Sequence, residues 1–181
     1  ILTVDGLAKQ ADGRILFCGN FNAVAGQPRT GIARVLASGV LDLSFTPPTF
    51  NSSTRTMIVL PDGKIFLAGN FSRFTAPALN YTAQLNADGS LDPSFTPPTL
   101  NGSATGAARQ ADGKLVVGGF FTVVGGVSRG SLTRLHAGGT LDPTFNPEIS
   151  GSFYGVTGSP NINVIAIPPG PPHLVVGGAF T

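Results

Sequence analysis

The 181 residues predict an all-β fold: a β-propeller segment of four-stranded antiparallel blades, about 50 residues each, forming part of a larger ring. Three observations carry this expectation. First, the chain repeats. Gln10-Ala11-Asp12-Gly13-Arg14-Ile15-Leu16 returns as Leu60-Pro61-Asp62-Gly63-Lys64-Ile65-Phe66 and as Gln110-Ala111-Asp112-Gly113-Lys114-Leu115-Val116, so the Gly recurs every 50 residues. Gly19-Asn20-Phe21, Gly69-Asn70-Phe71 and Gly119-Phe120-Phe121 keep the same interval, as do Phe45, Phe95 and Phe145. Second, Gly 25 and Pro 15 together take roughly twice their usual share, spread too evenly to leave long helices. Third, each copy holds short β-branched or aromatic runs separated by Asp-Gly or Gly-Gly turns. A single sheet of this size cannot bury its own faces, so neighbouring sheets must stack on it. The repeat places blades near 1–50, 51–100, 101–150 and 151–181, the last incomplete.

The third copy shows the elements in order. Residues 104–110 form a first strand almost without side chains, suited to the crowded axis of a propeller. Asp112-Gly113 turns the chain, because Asp-Gly between apolar runs is the strongest short hairpin signal. Residues 114–121 form the second strand, and Gly118-Gly119 within it predicts a bulge or a close backbone approach. Val123 to Gly130 is a Gly-rich loop, and Ser131 to His136 is the third strand. Ala137-Gly138-Gly139 turns again into a short fourth strand from Thr140, which Pro143 ends. One bulky residue per repeat is the mark of a core anchor, so Phe21, Phe71, Phe121 and Phe180 and Phe45, Phe95 and Phe145 are assigned to the blade core. Each would contribute roughly 2–3 kcal/mol on burial.

Composition excludes several classes. Hydrophobic content of 41% with a net charge of +2 argues against disorder. The eleven basic residues are scattered and Trp is absent, so no nucleic-acid partner is expected. The sequence has no run of 18 apolar residues, so no membrane insertion is expected. Cys18, the single cysteine, reads as a small buried strand residue. His136 and His173 stand at unrelated repeat positions without the flanking ligands of a zinc site, and no catalytic triad order stands out. Neither a catalytic residue nor a metal ligand nor a cofactor is assigned, and the chain is not expected to be an enzyme.

The repeated run Asp112-Gly113-Lys114, the strand end Val117-Gly118-Gly119-Phe120-Phe121-Thr122, the strand Leu132-Thr133-Arg134-Leu135 and the closure Leu141-Asp142-Pro143-Thr144-Phe145 resemble the delta-60 repeat, a bacterial propeller repeat. The double glycine is also similar to kelch blades, although their Gly-Trp signatures are missing. The resemblance implies a secreted or cell-surface bacterial protein, and it brings no catalytic motif.

Among polar residues, Asp12, Asp62 and Asp112, each before Gly13, Gly63 or Gly113, are assigned to turns, since Asp can bond the backbone two residues on. Asp42, Asp92 and Asp142 are expected to cap between blades. Arg34, Gln84 and Arg134 occupy one repeat position in mid-strand. Two readings stay open for them: pairing with a repeat carboxylate, or lining a groove that binds an anionic sugar or peptide. Two functions follow as expectations. The chain is a non-enzymatic scaffold mediating protein–protein interaction or assembly through loops such as Phe74-Thr75-Ala76-Pro77 and Val123 to Arg129, which differ between copies. Alternatively it is a carbohydrate-binding module with one weak site per blade. A count of about 3.6 repeats leaves an open strand edge. Further blades of the same polypeptide, or a second copy of the chain, are the expected partners there.

Overall fold

The computed structural model describes residues 2–73, 79–147, 152–153, 156–157, 161–169 and 173–179. All regular structure among them is β. The first repeat supplies β1 (Thr3–Lys9), β2 (Ile15–Asn20), β3 (Ala23–Val24), β4 (Gln27–Pro28) and β5 (Ile32–Val35). The second supplies β6 (Thr54–Val59), β7 (Ile65–Arg73) and β8 (Leu79–Leu85). The third supplies β9 (Ala104–Arg109), β10 (Leu115–Gly119), β11 (Val123–Val124), β12 (Val127–Ser128) and β13 (Leu132–Leu135). After it come β14 (Ser152–Phe153), β15 (Val156–Thr157), β16 (Asn161–Ala166) and β17 (Val175–Ala179). The chain divides into two compact units, Ile1–Pro93 and Ser94–Thr181.

Each complete repeat forms an antiparallel sheet with its second strand in the middle: β1-β2-β5, β6-β7-β8 and β9-β10-β13. The expected fourth strand is reduced to one residue. Leu41, Leu91 and Leu141 make isolated bridges to Val35, Leu85 and Leu135. The Asp that follows bends away into a turn, so the ladder cannot extend. The loop 123–130 is more ordered than expected, since β11 and β12 form a small hairpin. The small-residue strand β9 lies on the edge of its sheet.

The three Asp-Gly hairpin turns share one geometry. Gln10 N donates to Arg14 O at 2.8 Å and Gly13 N to Gln10 O at 3.0 Å, with Gly13 at φ 84°. This is a three-residue loop closed by a left-handed glycine rather than the two-residue turn that Asp-Gly suggests. Asp12 Oδ1 accepts from Arg14 N at 3.0 Å, and Asp62 and Asp112 serve Lys64 and Lys114 alike at 3.1 Å. In each turn the Asp side chain accepts from the backbone two residues on and the Gly carries the positive φ.

In the first unit a cluster spans the two sheets. Leu16 and Ile32 from the first sheet pack with Ile65, Leu67 and Leu85 from the second, and Phe45, Phe50 and Phe71 fill the same core. Phe50 and Phe71 meet with ring centroids 4.6 Å apart. In the second unit Val116 and Leu132 pack against Ile162 and Ile165, with Phe145 partly buried beside them. Phe21, Phe95 and Phe121 are buried. Phe180 lies outside the described residues. Phe50 and Leu100 are buried too.

Cys18 is fully buried on β2, and burial, with Asp5 nearby, pushes its thiol up to about 12. The thiolate is the reactive form, so the folded chain should resist a thiol reagent. Labelling at mildly alkaline pH should be slow in the native state and complete once denaturant is added. Rapid native labelling would contradict the burial.

Candidate functional site

The polar residues that recur with the repeat converge on one place in each blade. Leu41 bridges to Val35, which fixes the register of the next residue, and Asp42 N donates to Arg34 O at 2.9 Å. The two side chains are thereby set side by side, and Arg34 Nε donates to Asp42 Oδ2 at 2.8 Å. The other carboxylate oxygen closes an Asx turn, accepting from Ser44 N at 3.0 Å and Ser44 Oγ at 2.6 Å. Arg14, from the first turn, places Nε 3.5 Å from the same Oδ2. The guanidinium of Arg34 lies over the Phe45 ring, 4.6 Å from its centroid.

The third repeat rebuilds this knot. Arg134 Nε donates to Asp142 Oδ2 at 2.9 Å, and Thr144 N and Oγ1 donate to Oδ1 at 3.0 and 2.6 Å. Lys114 Nζ lies 3.1 Å from Oδ2, and Arg134 sits 4.6 Å over Phe145. In the second repeat Gln84 Nε2 and Lys64 Nζ donate to Asp92 Oδ2 at 2.8 and 2.9 Å. Lys64 supplies the positive charge that Gln84 lacks. The basic residue after each Asp-Gly turn is thus a member of the knot that sequence reading missed. Its signal was present, in the recurrence of Arg14, Lys64 and Lys114 with the same 50-residue period.

Arg34, Gln84 and Arg134 each pair with a repeat carboxylate. Arg34 and Gln84 are buried and Arg134 is partly so, and each is bonded to its own repeat's aspartate. The capping role expected between blades is corrected for Asp42 and Asp142. Both oxygens of Asp42 and of Asp142 are taken inside their own repeats, by the Asx turn and the strand neighbour. The link to the next repeat is made by Arg34 itself, whose Nη1 donates to Ala87 O at 2.6 Å. Thr46 N adds a bond to Asp88 O at 2.9 Å, and a Cβ on Gly89 would meet the Phe45 ring at 2.9 Å.

The electrostatics follow from the bonds. The hydroxyl of Ser44, with backbone N–H and Arg34 behind it, holds Asp42 below the ordinary carboxylate range despite burial. Thr144, Lys114 and Arg134 hold Asp142 lower still. The bond to Asp92 pushes Lys64 up. A carboxylate kept so firmly ionised is a weak proton acceptor near neutral pH, where a general base needs a matched pKa. Among the described residues, no three His, Cys, Asp or Glu side chains gather as a metal site would require.

The remaining variable surface lies in the loops after the second strands. Asn101 Oδ1 accepts from Thr122 N at 2.8 Å and Val123 N at 2.9 Å, anchoring the base of the β11–β12 hairpin. Asn51 accepts likewise from Ser72 N at 2.8 Å. At the hairpin's far base Arg129 is buried and donates to Asn146 Oδ1 at 3.2 Å, while Gly125 to Ser128 are exposed. The first repeat presents Ala25 to Pro28 on the equivalent β3–β4 hairpin, also exposed. Phe74-Thr75-Ala76-Pro77, the other loop singled out from sequence, lies outside the described residues.

Compared with known families, the chain matches the model of a domain of unknown function (DUF5122) beta-propeller at residues 10–45, 60–95 and 110–145, more than half its length. Each match runs from the residue two before Asp-Gly to the Phe that closes the knot. No curated protein matches the chain.

Proposed function

The chain belongs to the DUF5122 beta-propeller family, and from that premise we propose that it is a non-enzymatic scaffold for protein–protein interaction or assembly. The repeat is of the delta-60 type on this reading, and the parent is a secreted or cell-surface bacterial protein. The observation that carries the reading is a division of labour between residues. The polar groups that recur are consumed by internal bonds, whereas exposed hairpin tips on equivalent frames differ. Ala25-Gly26-Gln27-Pro28 stands where the third repeat has Gly125-Gly126-Val127-Ser128. Rigid frames with variable tips are how scaffolds present recognition loops. Carbohydrate binding with one equal site per blade would need free polar groups at a repeated position, and Arg34, Gln84 and Arg134 are engaged elsewhere.

The test exchanges residues 25–28 and 125–128 between the two hairpins while keeping Arg29 and Arg129. The exchanged chain should keep its unfolding midpoint and lose at least tenfold in affinity for a partner recovered with the native chain as bait. Unchanged affinity counts against the loops. Strong binding of the native chain on a glycan array would favour the carbohydrate reading.

A further inference from the structure

Asparagine is a chemically labile residue, and most labile before glycine, where no Cβ keeps the next backbone nitrogen from reaching the side-chain amide. Asn101-Gly102 is the chain's sole Asn-Gly pair, whereas Asn51, at the equivalent place in the second repeat, precedes Ser52. The reaction needs only water. Gly102 N attacks Asn101 Cγ and gives up its proton, the Cγ–Nδ2 bond breaks, and Nδ2 leaves as ammonia. Water then opens the cyclic imide. Opening at Cγ leaves aspartate. Opening at the former main-chain carbonyl leaves isoaspartate, whose main chain runs through Cβ and Cγ and is longer by a methylene.

The fold holds Asn101 away from this reaction. Its Oδ1 accepts from Thr122 N at 2.8 Å and Val123 N at 2.9 Å, and its Nδ2 donates to Thr122 Oγ1 at 2.8 Å. Turning Cγ onto the Gly102 nitrogen breaks these bonds. The main chain on either side is pinned as well. Leu100 bridges to Val124, Asn101 N donates to Val123 O at 3.2 Å, and Phe120 N donates to Ser103 O at 2.8 Å. Gly102 lies against the Phe120 carbonyl, where a Cβ would overlap the oxygen. The same contacts fasten the base of the β11–β12 hairpin, whose tip from Gly125 to Ser128 is exposed.

We infer that Asn101 is a modification site gated by folding. It stays asparagine in the native chain, deamidates in the unfolded chain, and as isoaspartate no longer fastens the β11–β12 hairpin. The two products differ in effect. An aspartate carboxylate still offers oxygen to Thr122 N and Val123 N, whereas the added methylene of isoaspartate shifts the main chain that Val123 and Val124 pair with. The freed tip is a recognition loop on the scaffold reading, on which this last consequence alone rests. Time spent unfolded is then written into the chain as lost binding.

Peptide mapping by mass spectrometry tests the gate. The chain is aged at mildly alkaline pH, once native and once in urea. In urea Asn101 should convert to aspartate and isoaspartate while Asn51 stays intact. In the native chain conversion should be slower by at least about tenfold, because it waits on local opening. Equal rates native and in urea overturn the inference, as does an Asn51 that converts as fast as Asn101. Hydrogen exchange then tests the fastening. The isoaspartyl fraction, returned from urea, should regain its β circular dichroism but exchange the Thr122 and Val123 amides faster than the native chain. An Asn101→Asp chain, carrying the charge without the methylene, should keep them protected. An isoaspartyl chain that protects these amides like the native one, or that does not refold, overturns the release of the hairpin. So does an Asn101→Asp chain that loses protection to the same extent. Neither readout involves a partner, so failure here is separable from failure of the scaffold reading, which the loop exchange judges.

Discussion

Replacing Asp42 by alanine should lower the unfolding free energy by about 3 kcal/mol, in the range found when one member of a buried ion pair is removed. The loss has two sources. Arg34 stays buried with its Nε facing no anion, and the Ser44 N–H and hydroxyl lose their common acceptor. Arg14, 3.5 Å from the same carboxylate oxygen, loses that contact too, and as a second cation it cannot replace the missing anion. Asp12→Ala is the matched control. Its pair with Arg14 is exposed, and exposed pairs contribute at most about 1 kcal/mol. The two variants compared by urea denaturation should differ by a factor of three or more in their effect. Equal effects would show that the knot is no stronger than a surface contact.

Acid should reveal the same group. The folded-state pKa of Asp42 is depressed, so the stability it contributes is complete above the unfolded carboxylate value and disappears as pH falls through the folded one. The native chain should lose stability below about pH 4, and the Asp42→Ala chain should lose less over that window because one term is already gone.

The sequence made the period, the turns and the Phe positions legible because each is a local demand that recurs. A left-handed residue closing a hairpin needs Gly, and an anchor needs bulk. What escaped depends on neighbours fixed only by strand register. Arg14 and Asp42 are 28 residues apart, as are Lys64 and Asp92, and nothing local says that they meet. Tolerance hid another feature. Gly31 and Ser131 adopt positive φ just before β5 and β13, at 73° and 60°, and Tyr81 does so within β8 at 66°, but only one of the three is the residue that advertises it. The fourth strand was over-read because its apolar residue and the following Asp look like a strand start. The Asx turn at that Asp takes the backbone elsewhere after a single bridge.

Gly119→Ala is expected to be as damaging as Asp42→Ala, at about 3 kcal/mol, even though the change adds one methyl group. Two effects oppose. Alanine restricts the unfolded chain and would gain roughly 0.4–1 kcal/mol where the native backbone accepts it. Against this, the ladder between β9 and β10 shifts register between Gly118 and Gly119, which carries the Ser103 carbonyl directly over the Gly119 Cα. A Cβ there would land on Ser103 O and come within 2.8 Å of Ala104 Cα. Both obstacles are backbone, so no rotamer change relieves them, and overpacking of this kind costs about 1–3 kcal/mol or more. Moving Ser103 away would also break its bond from Phe120 N, now 2.8 Å. The clash outweighs the entropy. Gly19, Gly69 and Gly178 meet the carbonyls of Thr3, Ser53 and Asn161 in the same way, which explains why this glycine recurs while the residue before it varies from Cys18 to Ala68 to Gly118. Gly138→Ala serves as control, since a Cβ there meets nothing within 4 Å and the change should stay within about 0.5 kcal/mol. Denaturation midpoints that fall together for both variants would mean that the close approach is relieved by strand movement rather than paid in stability.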